Sequence, residues 1–117
     1  MIEIKITSSG IACPIFKCAH SGEEIKDASE ANVVWLEQTD ERGVCRAISP
    51  PRAVLKAWDR KEVTNTILGC NRELRQRVCW MPLDACFVHL MRNTGFDQEK
   101  AEATVEHLSR SSPPNAR

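Results

Sequence analysis

Apolar and polar residues alternate strictly along IEIKI, Ile2 to Ile6, with the three isoleucines on one face and Glu3 and Lys5 on the other. A period of two predicts a strand with one buried face. Thr7 to Gly10 (TSSG) is turn chemistry. Pro14 to Cys18 predicts a second short strand, with proline at its start, where a missing N–H costs little. Ala31 to Gln38 (ANVVWLEQ) combines paired valines with Trp35 and predicts a further strand. Asp40 to Gly43 supplies a turn, and Val44 to Ser49 returns as the second arm of a hairpin. The first 49 residues therefore predict a small antiparallel β unit.

Beyond Ser49 the period changes. Ser49 is a candidate cap for a helix opening on Pro50 and Pro51, with Ala53, Val54, Ala57 and Trp58 at helical spacing. Glu62 to Gly69 is ambiguous, since its threonines and valine favour a strand while Gly69 suits a helix end. Asn71 is a candidate cap for a helix reaching Val78, with Leu74 and Val78 on one face. Pro82 to Gly95 is the clearest helix: Leu83, Cys86, Phe87, Leu90 and Met91 form one apolar stripe. Asp97 caps a last helix with Ala101, Val105 and Leu108 in a narrower stripe. The short connection predicts an αα-hairpin. The expected fold is α+β, one domain over residues 1–110 and a flexible polar tail over 111–117.

Composition bounds the class. A chain of 117 residues with 27% charged side chains suits one soluble domain. No apolar run is long enough to cross a membrane, and the N-terminal segment lacks a signal-peptide core. A cytoplasmic protein with reduced thiols and no membrane partner is the expectation, so the six cysteines read as core residues or metal ligands. A net charge of zero hides an uneven distribution: −5 over residues 1–41, +6 over 42–80 and −1 over 81–117.

The segment FKCAHSGEEI, Phe16 to Ile25, resembles the first knuckle of zinc-ribbon and treble-clef proteins, with its aromatic, its cysteine and a glycine that turns the backbone back. The resemblance implies a zinc-ribbon-like β unit. Ser21 occupies the position where a knuckle carries its second cysteine, and a serine hydroxyl is not ionised at neutral pH. A substitute zinc set can be written from Cys13, Cys18, His20 and Cys45. The preferred reading is a knuckle-shaped turn without metal, with the zinc set as the alternative. Cys86 and His89 stand three apart on a helix, yet Cys86 belongs to the apolar stripe and reads as a small hydrophobe.

No nucleophile, base and oxyanion-binding group can be assembled, so a catalytic role is not expected. Arg52, Lys56, Arg60, Lys61, Arg72, Arg75 and Arg77 can present a phosphate-contacting face, with Trp58 and Trp80 as stacking candidates. Clusters of opposite sign fit a protein partner chosen by electrostatic complementarity. The expected function is a small non-catalytic protein-interaction or regulatory module whose contact surface is the αα-hairpin. The alternative is a nucleic-acid-binding protein using the basic 52–77 segment, with or without structural zinc.

Overall fold

A computed structural model describes residues 2–111, with the side chains of 108–111 excepted. The fold is α+β. Its strands are β1 (Ile2–Ile6), β2 (Ala12–Lys17), β3 (Glu24–Ile25), β4 (Ala31–Thr39), β5 (Cys45–Ala47), β6 (Arg52–Leu55) and β7 (Gln76–Pro82). Its helices are α1 (Lys61–Leu68), α2 (Leu83–Thr94) and α3 (Gln98–Ser111). The polar tail expected at 111–117 lies outside the described residues, except that Ser111 ends α3.

Two antiparallel sheets form, β1-β2-β3 and a larger one centred on β4. β7 pairs with β4 along residues 32–38 and so occupies one whole edge. The other edge is shared by β6, opposite Ala31 to Val34, and β5, opposite Glu37 to Thr39. Between them the chain bulges around Pro50 and Pro51, which cannot donate to a ladder. Ser49 fills the gap: its Oγ accepts the Leu36 N–H at 2.8 Å, while the Ile48 N–H reaches the Leu36 carbonyl at 2.9 Å.

Both faces of β4 are covered, which accounts for its unbroken apolar run. Val34 packs with Cys18 and Val54 under Trp58, Ile67, Leu68 and Val78, on the α1 side. Ala31 and Val33 pack with Leu83 beneath Trp35, Met81 and Phe87, on the α2 side. Burying a side chain of the size of Leu83 stabilises the fold by about 2 kcal/mol. The small sheet joins the large one where the Ala19 N–H donates to the Ala53 carbonyl at 2.8 Å.

The structure corrects several expectations in the second half of the chain. Residues 50–58 are not helical: Arg52–Leu55 is a strand and Lys56–Trp58 a single 3-10 turn. Ser49 and Pro50 each precede a proline, which disfavours the α region at both, and β4 offers an open edge to the segment that follows. Asn71 does cap, accepting the Glu73 N–H, but only one 3-10 turn. Arg75 then takes the left-handed conformation (φ 60°), and the chain continues as β7. The ambiguous 62–69 segment is α1, ended by Gly69 at φ 66°.

The first strand forms as expected, but its apolar face is not buried. Ile2, Ile4 and Ile6 are 62%, 65% and 60% exposed. On α2 the stripe divides: Leu83 is buried, whereas Leu90 and Met91 lie in solvent. The αα-hairpin is open, since α3 leaves α2 at Gly95 and does not pack back along it. The molecule is accordingly elongated, 55 × 31 × 26 Å.

Candidate functional site

The chain turns back tightly between Cys18 and Gly22. The Gly22 N–H returns to the Cys18 carbonyl at 2.9 Å, and the Cys18 N–H donates to the Glu23 carbonyl at 2.8 Å. Gly22 sits at φ 74°, a conformation that suits glycine. The Cys18 thiol is buried and accepts the Leu55 N–H at 3.4 Å. Burial opposes its ionisation, but the Ser21 hydroxyl and the N–H groups of Ser21, Leu55 and His20 favour the thiolate and hold its pKa below the ordinary thiol value. Ser21, which takes a ligand position in the knuckle pattern, thus serves the sulfur as a hydrogen-bond donor.

The other candidate ligands stand apart from it. His20 turns outward and packs its ring at a tilt against Trp58, ring centroids 4.7 Å apart, with the Arg60 guanidinium 5.5 Å from the same ring. Cys13 is exposed on β2, its Sγ 3.7 Å from the Pro14 carbonyl oxygen. Cys45 is exposed on β5, beside the Thr39 hydroxyl at 3.1 Å. Among the described residues, no three His, Cys, Asp or Glu side chains are grouped to hold a metal ion. Cys86 lies against the Leu83 cluster, where burial pushes its thiol up, while His89 is exposed.

The seven basic residues of the 52–77 segment do not form one face. Arg52 lies opposite Val34 and shares its α1-side face of the sheet. Arg77 lies opposite Glu37, across β4 and on the other face. It pairs with that carboxylate at 3.4 Å. Glu37 also accepts the Trp35 indole N–H at 2.9 Å, and this bond, with those from Cys79 and Arg77, holds its pKa below the usual carboxylate range. Arg75 donates to the Asp40 carbonyl at 3.4 Å. Lys56 sits in the 3-10 turn after β6, Lys61 opens α1 and Arg72 begins the turn before β7. Trp80 is 60% exposed and Trp58 is half-buried.

An open apolar groove lies where α2 ends and α3 begins. It encloses about 710 Å³, with Met91, Phe96, Ala101 and Val105 as its apolar lining and Gln98, Glu102 and Glu106 as its polar members. Gly95 (φ 66°, ψ 32°) stops α2 and passes its N–H to the Met91 carbonyl. The Phe96 N–H reaches the same carbonyl at 3.1 Å, the six-to-one bond of a Schellman ending. That ending sets Phe96 beside Met91. Asp97 then caps α3, its Oδ1 accepting the Lys100 N–H at 3.1 Å.

Phe96 was not singled out by periodicity, because it belongs to neither helix. A glycine followed by a large apolar residue at a helix end is the signal that finds it. No protein-family model, curated protein or solved structure matches this chain.

Proposed function

We propose that this protein is a small protein-interaction module and that the groove between α2 and α3 is its contact surface. The carrying observation is the apolar groove with carboxylates at its margin: Met91, Phe96 and Val105 are 40%, 48% and 63% exposed, beside Glu102 and Glu106. A contiguous apolar patch with a polar rim is the usual form of a protein-binding site. Its occupant is an amphipathic helical segment with two or three apolar anchors and basic flanking residues, which the acidic margin attracts. The nucleic-acid reading draws less support, because Arg52 and Arg77 sit on opposite faces of the large sheet and Arg77 is paired.

The test is selection of helical peptides from a displayed library against the full chain, followed by anisotropy titration at two salt concentrations. The selected peptides carry spaced apolar anchors with Lys or Arg, and Val105→Glu or Phe96→Ser abolishes their binding. A short DNA duplex shows no tight binding. Peptides indifferent to both substitutions, or duplex binding that falls steeply with salt, overturn the assignment.

A further inference from the structure

The β1 strand combines two features that rarely remain open together: an unpaired edge and an exposed apolar face. Among the described residues it is the terminal strand of the small sheet, paired only with β2. In that ladder Ile4 stands opposite Pro14, which has no N–H. Antiparallel ladders alternate hydrogen-bonded and non-hydrogen-bonded pairs, so Ile4 and Pro14 form a non-hydrogen-bonded pair. Ile2 opposite Phe16 and Ile6 opposite Ala12 share that parity. The N–H and C=O groups of Ile2, Ile4 and Ile6 therefore point away from β2, toward the open edge. No backbone hydrogen bond to another described segment uses them.

We propose that β1 is a self-pairing edge, through which two copies of this chain join antiparallel about a two-fold axis at Ile4. In this register each Ile4 faces its counterpart and Ile2 faces Ile6 of the partner, so every outward backbone group meets one of the right kind. The same register sets Glu3 opposite Lys5 of the partner, and Lys5 opposite its Glu3. These close, non-hydrogen-bonded positions are where cross-strand charge pairs interact best. Within one chain Glu3 and Lys5 already meet Lys17 at 3.3 Å and Glu24 at 3.0 Å. Pairing extends that charged face across a six-stranded sheet.

The apolar side is equally complementary. Ile2, Ile4 and Ile6 of both copies lie on one face, continuous with Phe16, whose ring sits 5.4 Å from Phe87. An exposed apolar edge strand normally carries a protective charge, proline or bulge. Here the only charges on β1 are arranged to suit a second β1. A symmetric contact of this kind is closed, so it stops at the dimer.

Sedimentation of the full chain over about a hundredfold concentration range tests this. The wild-type chain goes from monomer to dimer as concentration rises. Glu3→Lys alone and Lys5→Glu alone each weaken self-association by at least about tenfold, because like charges then face each other in both cross-strand pairs. An equimolar mixture of these two variants restores the dimer, and so does the double swap in one chain. Ile4→Pro removes an outward N–H, leaves the β1–β2 ladder and the folded circular dichroism intact, and abolishes the dimer. A wild-type chain that stays monomeric throughout overturns the proposal. So does a dimer indifferent to the charge swaps, or one removed by Val105→Glu in the α2–α3 groove while the swaps leave it.

Discussion

The strands β4 and β1 both read as strand-forming segments with an apolar face, and the fold treats them in opposite ways. β4 is buried on both faces and paired along both edges. β1 is paired along one edge and keeps its isoleucines in solvent. The same division runs through α2, whose Leu83 is 2% exposed while Leu90 is 51% exposed. Periodicity identifies which residues share a face, but it does not say what stands opposite that face. Where the chain supplies the covering element the stripe becomes core, and where it does not the stripe stays in solvent.

That contrast can be broken most directly in the core. Leu83→Ala is expected to cost about 3 kcal/mol by lost burial and cavity formation, read as a lower urea midpoint. The polar contact inside the core comes next. Asn32 is 7% exposed and its Nδ2 donates to Asp59 at 2.6 Å, while its Oδ1 has no partner among the described residues. Asp59→Ala leaves the whole amide unpaired and should cost about 1–3 kcal/mol. Asn32→Leu combined with Asp59→Ala should recover part of that loss in the same urea titration.

The sulfur contact gives a smaller and pH-dependent effect. Cys18→Ala should cost about 1 kcal/mol near neutral pH through its lost packing and N–H···S bonds. Because the folded thiol ionises below its unfolded value of about 8.5, the thiolate contribution is fully present above that pH. It is lost as pH falls through the folded pKa. The stability difference between wild type and Cys18→Ala should therefore widen as pH rises from neutral, in parallel urea titrations. A difference that narrows over this range would contradict the hydrogen-bonded thiolate.

The smallest effects on folding belong to the solvent-facing stripes. Ile4→Thr and Val105→Ser should each change stability by no more than about 0.5 kcal/mol. Ile4→Thr weakens self-pairing and Val105→Ser weakens peptide binding, each without affecting the other. Losses comparable to that of Leu83→Ala would mean that these stripes are part of the core after all.

Much of the fold was legible from residue pattern alone: the β1 strand, the β4–β5 hairpin with its Asp40 to Gly43 turn, and the helix stopped by Gly95. These depend on nearby residues, since alternation, turn preference and capping all act within a few positions. The segments 50–58 and 71–78 depart from their local pattern because their fate depends on β4, a strand tens of residues away. Arg52–Leu55 and Gln76–Pro82 contain enough apolar spacing for a helix, and the hydrogen-bonding edges of β4 outweigh that preference. For the site, the tight turn at 18–22 was readable in Gly22. That the Leu55 N–H donates to the Cys18 sulfur, and that the His20 ring packs on Trp58, required the strand and turn from another part of the chain.

By itself, then, the sequence determined the α+β class, the faces on which apolar residues gather and the points where α2 stops at Gly95 and α3 starts after Asp97, because each is set by local backbone and side-chain chemistry. Only the tertiary structure decided which of those faces are covered, how the basic residues divide between the two sides of a sheet, and that Ile2, Ile4 and Ile6 present an open edge. Those outcomes follow from long-range pairing with β4, whose two edges and two faces cannot accommodate every apolar stripe that the chain contains.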